Sequence, residues 1–551
     1  MGNTRTKRIR TTRQTTRQSF DPVDLELFNT RIIAVAEEMG SVLQQSGFSP
    51  NIKERRDFSC AVFDAGGEMV CHAAHIPVHV GSTPLSVKAA IDTINMCDGD
   101  VVVLNDPYAG GTHLPDVTLI APVFFEHSAK PYAYVANRAH HADIGGVSPG
   151  SMPLATEIYQ EGLRLPPVRL CRNGVYVRET IELFLANTRV ASERRGDLDA
   201  QVGALRAGIA RISELARRYG KARLTRAMAE LQSYSSRLTE RVLRRIPAGR
   251  WSAVDRLDGD GLHEGTVEIR VSVQRRGRRL LVDFSGTAAQ VRGPVNANLA
   301  VTTSAVFYVL GLLGAGTVPA NSGMMSAVDI RAPEASIVNC RFPAAVAGGN
   351  VETSQRIVDV LLAALADALP DLVPASSCGT MSNVALGGHD TIRGRAFSYY
   401  ETVAGGAGAG PDHDGASALQ THMTNTLNTP VEVLEAYYPM RVTHYRVRRG
   451  SGGAGRHRGG DGIDREFELL SPASLTLLGE RRLLAPPGRA GGRPAKPGVD
   501  TVIVAGKRKA VPGKTRIELN PGDRLRVQTP GGGGFGRPRP EAGSKPREPR
   551  P

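Results

Sequence analysis

Two hydrophobic rhythms alternate along the chain. Between residues 21 and 47, Leu25, Phe28, Ile32, Val35, Met39, Val42 and Leu43 recur every three or four positions, which predicts a helix with one buried stripe. Asp21 is placed to cap it, Pro22 suits its first turn and Gly47 its end. An irregular segment holding CHAAHIPVHVGSTP (71–84) follows, then apolar runs of strand length at VVVL (101–104), VTLIAPVFF (117–125) and YAYVAN (132–137). The helical rhythm returns at Leu198, Val202, Leu205, Ile209, Ile212 and Leu215, and again at Leu224, Met228, Leu231, Leu238 and Val242. Gly220 separates these two stretches and Pro247 closes the second, which predicts a helical hairpin over about 197–246.

Further on, TVEIRVSV (266–273) and RLLVDFSG (279–286) read as a strand pair around the turn QRRGR, and QRIVDVLLAALADAL (355–369) as a helix. Past about residue 440 the chain is glycine-rich, with short strands at SLTLLG (474–479), DTVIVAG (500–506) and RIEL (516–519). The expected fold class is α+β, a mixed α/β multidomain chain with a sheet-based N-terminal region, a helical hairpin and a β-rich C-terminal region. The expected divisions are a disordered basic tail (1–20), an N-terminal α/β domain (21–250), a central α/β domain (251–435), a glycine-rich β domain (436–536) and a disordered tail (537–551).

Composition adds three constraints. The net charge of +14 overstates any basic patch, because Arg5, Lys7, Arg8, Arg10, Arg13 and Arg17 all sit in the first 20 residues, without an acid and without aromatic residues for base stacking. That argues against nucleic-acid binding. The tail has no apolar core of a secretory signal, and the longest apolar run, AVFYVLGLLGAG (305–316), is too short and glycine-broken to span a membrane. The six cysteines (Cys60, Cys71, Cys97, Cys171, Cys340 and Cys378) are scattered without a CxxC pair, which fits reduced thiols in a cytoplasm.

The chemistry-bearing residues cluster around two strands. In NDPYAGGTHLPDV (105–117), Gly110-Gly111 permits a sharp turn, and His113 and Asp116 precede a strand. In NRAHHADIGG (137–146), His140, His141 and Asp143 follow the next strand. If the two strands pair antiparallel, the start of one lies beside the end of the other and the loops meet at one sheet edge. A His/His/Asp set suits a divalent transition metal and an acidified water; a hydrogen-bonded loop network is the alternative. His72, His75 and His79, with Asp64 and Glu68 nearby, form a third cluster that could contribute.

Other stretches carry less. No GxxxxGK[ST] or strand–GxGxxG–helix pattern occurs, so a site for ATP is expected on another chain. RRGSGGAGRHRGGDG (448–462) and TPGGGGFG (529–536) read as an anion cradle or as turn arrays. In GGNVETSQRIVD (348–359), Thr353 is placed to cap a helix, with Glu352, Gln355 and Arg356 as possible contacts to substrate or partner. The glycine-rich stretch 403–430, with His413, Asp414, His422 and Asn425, reads as a lid or subunit contact.

Taken together, NDPYAGGTHLPD, ANRAHHADIGG, PGSMP (149–153), EIYQEGLRLPP (157–167), DFSGTAAQVRGPVN (283–296), GNVETSQRIVD and TPGGGGFG resemble the hydantoinase B / oxoprolinase family, in order and over about residues 21–536. The resemblance implies a cytoplasmic hetero-oligomer. An A-type (hydantoinase A) partner with an actin-like ATPase fold would use ATP to phosphorylate a cyclic amide such as a hydantoin or 5-oxoproline, and the B-type subunit would open it at a site holding a divalent ion, zinc or manganese. On motif position the ligands are His113 and Asp116 with His140 or His141; the expected set is His113, Asp116 and His141, with His140 and Asp143 orienting a ligand or moving a proton. A ketone carboxylase subunit of the acetone type, and a non-catalytic scaffold for the ATPase, are the competing expectations. SSCGTMSN (376–383) departs from the family's run there and carries no role.

Overall fold

The computed structural model describes residues 20–73, 76–126 and 128–538. The basic tail, apart from Phe20, and the C-terminal tail, apart from Arg537 and Pro538, lie outside the described residues. So does His75. The first amphipathic stripe forms the helix Pro22–Ser46; Asp21 accepts from the Val23 amide, and Leu25, Phe28, Ile32, Val35, Met39 and Leu43 are buried. The hairpin is present as Ala191–Tyr219 and Lys221–Leu243, hinged at Gly220.

The N-terminal sheet has seven strands: β1 (Phe58–Asp64), β2 (Met69–His72), β3 (Val101–Leu104), β4 (Asp116–Val123), β5 (Ala133–His140), β6 (Val168–Arg172) and β7 (Val175–Tyr176). Their order is β2-β1-β5-β4-β3-β6-β7, and every neighbouring pair is antiparallel. Every residue of β4 and β5 is buried. Val117, Leu119 and Ala121 pack in the same cluster as Ile32, Val35, Val202 and Leu205, whereas Ile120 and Ala136 join the cluster of Val87 and Ala90. With both faces covered, these strands read as continuous apolar runs rather than as an alternation.

Beyond the hairpin, Gly249–Leu257, Val267–Arg276, Arg279–Asp283 and Val328–Arg331 form a four-stranded sheet. The run 305–316 lies in the buried helix Leu299–Leu313, and among the described residues no helix is long and apolar enough to cross a membrane. Two further sheets complete the chain. One joins Arg395–Thr402, Asn383–Asp390, Ala473–Leu478 and Lys514–Leu519; the other joins Met440–Arg448, Gly462–Leu469, Arg524–Gln528, Val499–Val504 and Lys507–Val511. Strand Asn383–Asp390 pairs with Ala473–Leu478, so the C-terminal β structure reaches back across residue 436. One apolar cluster also runs from Phe63 through Leu257 and Val301 to Leu478, so packing is continuous across residue 250.

The glycine-rich segments form a mesh rather than a cradle. Gly453 donates to the Gly532 carbonyl, Gly532 to Gly460 and Gly460 to Ala407, each at 2.9 Å. A Cβ on Gly459 would stand 1.8 Å from the Gly532 carbonyl oxygen, so only glycine permits this approach. These amides are spent on backbone carbonyls and are not available to an anion.

One side chain fastens the first His/Asp loop to the central region. Asn298 caps the helix Leu299–Leu313 by accepting from Val301, and its amide donates to the carbonyls of Pro107, Gly111 and Thr112 at 2.9, 3.0 and 3.0 Å. Replacing Asn298 with Ala removes a cap and strands buried carbonyls. We expect Asn298→Ala to cost about 2–4 kcal/mol, read as a lowered midpoint in urea denaturation.

Candidate metal centre

Strand pairing builds the site. In the β4–β5 ladder Asp116 lies directly opposite His140, followed by Val117 opposite Ala139. The two loops therefore meet at one sheet edge, as the antiparallel argument requires. His113 reaches the same point from the turn before β4, where Gly110 adopts φ 86° and a Cβ would collide with the Leu85 backbone. His113 Nε2 and His140 Nδ1 stand 3.2 and 3.3 Å from Asp116 Oδ1. His113, Asp116 and His140 offer ligand atoms that all lie within 4.8 Å of one another, so this buried group could hold a metal ion. It is the one such group of three or more among the described residues.

His79 from the third cluster joins them. Its Nε2 is 3.3 Å from Asp116 Oδ2, and its Nδ1 shares a hydrogen bond with the Ser59 hydroxyl. Oδ2 also accepts from the Thr112 hydroxyl at 2.5 Å and from Asn350 at 3.3 Å. One carboxylate oxygen is thus tied to the protein and the other faces two imidazoles. His140 is stacked on Tyr400, with ring centroids 4.5 Å apart and planes 17° apart. Asp57, Ile76, Val78, Val351, Met381 and Met423 help enclose a cavity of about 20 Å³, room for one water or ion.

The electrostatics follow from burial. Burial alone would raise the Asp116 carboxyl, but the His113 and His79 imidazoles outweigh it and hold Asp116 well below the usual carboxylate range. Burial pushes the His140 imidazole below its ordinary value, towards the neutral form that binds a metal. Both nitrogens of His113, Asp116 Oδ1 and His140 Nε2 are buried without a hydrogen-bond partner. Each such atom costs about 1–3 kcal/mol. Four of them converging on one point fit a metal better than a self-satisfied loop network.

Two expected site residues are placed elsewhere. His141 points to the opposite face of the sheet edge: its Nε2 bonds Gln201 at 2.9 Å, its ring packs edge-on against Phe184, and burial lowers it to about 4. The pleat explains this, since consecutive residues of an extended strand face opposite ways. The structure thus puts His140, in place of the expected His141, beside His113 and Asp116. Asp143 is a loop organiser; its oxygens accept from the backbone of Gly145, Gly150 and Arg189 and from the Arg189 guanidinium at 2.9 Å. No lone pair is left to orient a ligand or take a proton. Thr353 does not cap: it sits inside a π-helical turn, Gly349–Thr353, and donates to the Val295 carbonyl. Glu352, Gln355 and Arg356 are fully buried, so they do not form an exposed contact surface.

Two contributors lacked any sequence signal. Asn350 reaches Asp116 only because Gly348–Thr353 folds back against residues 294–296. Glu161, within EIYQEGLRLPP, anchors that return: Oε1 accepts from the Val346 and Ala347 amides at 2.8 Å each, while Oε2 has no partner.

These features define a mixed α/β protein built around a buried His–Asp–His group that could hold a metal ion. The chain belongs to the hydantoinase B/oxoprolinase family, whose model matches residues 21–538. It is 40% identical to an uncharacterized protein of Methanocaldococcus jannaschii, with 94% of this chain and 91% of that one covered. It is 37% identical to the 5-oxoprolinase of Dictyostelium discoideum over 95% of this chain and 41% of that protein, so it spans about two-fifths of the longer relative. Its fold resembles the crystal structure of the ATP-dependent caprolactamase from Pseudomonas jessenii, with a TM-score of 0.88, 30% identity, and 95% and 93% of the two chains covered.

Burial pushes the Glu161 carboxyl up to about 8, against the pull of the two backbone amides. In the unfolded chain it titrates near 4.5. The folded state therefore holds the extra proton, and this group's contribution to stability drains away as pH rises from about 4.5 to 8. Glu161→Gln keeps the shape without the titration. We expect the variant to lose less stability than the parent across that interval, measured by thermal unfolding at stepped pH; parallel profiles would contradict the assignment.

Proposed function

We propose that this chain is the ring-opening component of an ATP-dependent cyclic amide hydrolase of the hydantoinase or 5-oxoprolinase type, with His113, Asp116 and His140 as metal ligands. The observation that carries the proposal is the convergence of buried, unpartnered imidazole and carboxylate atoms on a cavity the size of one ion. Family membership supports the substrate class, since the family includes 5-oxoprolinases and the caprolactamase neighbour acts on a cyclic amide.

A divalent ion such as zinc or manganese, when bound, supplies Lewis acidity and acidifies a water. The chain's own residues do the rest. Thr112 and Asn350 hold Asp116 Oδ2 so that Oδ1 faces the two imidazoles. Tyr400 fixes the plane of His140, and its hydroxyl is in turn held by Asn383 at 2.6 Å. His79, held by Ser59, stands where it can hand on a proton beside the carboxylate. Ile76, Val78 and Met423 keep bulk water out. ATP is used by an A-type partner in a hetero-oligomer: the sequence has no phosphate loop, and the longer 5-oxoprolinase relative carries a further portion that this chain lacks.

The test is to co-purify the chain with its A-type partner and assay hydantoin and 5-oxoproline with ATP, with and without bicarbonate. Turnover without bicarbonate separates amide opening from a carboxylase, and activity of the partner alone would indicate a scaffold. We expect His113→Ala and His140→Ala to lose the metal by elemental analysis and about 100-fold or more in turnover, while His141→Ala keeps the metal. Metal retained in His140→Ala and lost in His141→Ala would overturn the ligand set.

A further inference from the structure

A second buried polar system lies on the helix that follows Asn350. Asp359, on the helix Ser354–Leu365, is 4% exposed. Its Oδ2 accepts from Arg356 and Arg481 at 2.8 Å each. Its Oδ1 has no hydrogen-bond partner, and Asp359 lines a cavity of about 180 Å³ with His422, Ser376, Pro487, Ala363 and Arg489. His422 Nε2 stands 3.9 Å from that free oxygen, too far to satisfy it. His422 Nδ1 contacts the Tyr308 hydroxyl at 3.4 Å, and burial lowers the imidazole to about 4, so the ring is neutral. With Nδ1 accepting from Tyr308, Nε2 carries the proton. The cavity wall thus presents a carboxylate acceptor and an imidazole donor side by side.

Charge decides what can meet them. Arg356, Arg481 and Lys514 face Asp255, Asp359 and Glu480 in one buried network, three cations against three anions. The network is already neutral, so a ligand cation would leave a buried excess. A neutral N–H donor next to a carbonyl acceptor fits instead. In a small ring the amide is held cis, which puts N–H and C=O on one edge. The volume suits such a ring and lies below the roughly 300–1,000 Å³ of sites for drug-sized ligands.

We infer that this cavity is a recognition chamber for a cyclic amide, with Asp359 Oδ1 accepting the ring N–H and His422 Nε2 donating to the ring carbonyl. The substrate class rests on the proposed function above; the donor and acceptor do not. Position supports the link. His422 lines this chamber, while the next two residues, Met423 and Thr424, line the metal-site cavity, so one strip of chain walls both. Asn350 and Asp359 are nine residues apart, about 13 Å along a helix. The chamber therefore holds the amide beside the metal group rather than on it, and the cavity of about 20 Å³ at the metal group cannot itself admit a ring.

The test uses 2-pyrrolidinone, which has the N–H, and N-methyl-2-pyrrolidinone, which lacks it. Burial pushes the Asp359 carboxyl up to about 7, so binding is measured by calorimetry or ligand-detected NMR at pH 8, where it is an acceptor. The full chain is used both metal-loaded and metal-stripped. We expect 2-pyrrolidinone to bind in both states and the N-methyl compound to bind about tenfold or more weakly. Asp359→Asn should erase that preference. Because this substitution also disturbs two arginines, Ala363→Phe at the exposed mouth is the second variant; it should weaken 2-pyrrolidinone binding about tenfold with metal content unchanged. Equal binding of the two lactams, no binding at millimolar concentration, or indifference to Ala363→Phe would overturn the chamber and leave an ordered water on Oδ1. A chain that selects the N–H lactam yet holds no metal would sink the metal assignment and keep the chamber.

Discussion

The register of one strand pair, Asp116 opposite His140, is what the rest of the site depends on. A slip of one residue would turn His140 to the face now occupied by His141 and bring His141 to the carboxylate. Register is secured because both strands are buried along their whole length and both faces pack, so any slip exchanges two sets of apolar contacts. Neighbouring β1 and β3 lock the pair from either side. The rigid part of the molecule is therefore the part that aims the ligands.

What the strands leave undetermined is the far side of Asp116, which the central region supplies. Asn298 pins the Gly110–Thr112 turn from a helix cap, and Asn350 reaches Oδ2 from a glycine-rich fold-back. Glu161 holds that fold-back by two amides and keeps one oxygen unpartnered in the interior. A buried carboxyl with an unmet oxygen is costly, which is why it retains its proton to high pH. The site is shared between regions that the hydrophobic pattern would treat as separate domains.

The elements were largely legible in the pattern of residues because their signals are local. The stripe from Leu25 to Leu43, the hairpin around Gly220 and the apolar runs of β3, β4 and β5 all appear where periodicity and length place them. The meeting of the two loops was legible too, from antiparallel geometry alone. The choice between His140 and His141 was not, because adjacent histidines differ only in pleat phase, and phase needs the exact register. Asp143 misled because a carboxylate between two histidines looks like a ligand, while the Arg189 that occupies it lies 46 residues on. The glycine segments misled for a related reason: glycines that admit an anion and glycines that admit another backbone are identical in composition, and only the partner carbonyls of Ala407, Gly460 and Gly532 distinguish them.

The two buried polar systems handle charge in opposite ways, and that difference argues for different occupants. Around Asp359, three cations answer three anions, and what is unmet is a hydrogen bond. Around Asp116, the carboxylate faces imidazoles, and among the described residues no arginine or lysine pairs with it. His140 is held towards its neutral form by burial, so the negative charge is left with soft nitrogen donors and no bound counter-charge. An isolated anion at that depth is far costlier than an unmet hydrogen bond. The balanced system asks for a neutral polar molecule and the unbalanced one for a cation. Placing them on two sides of the strip 421–424 keeps each from satisfying the other.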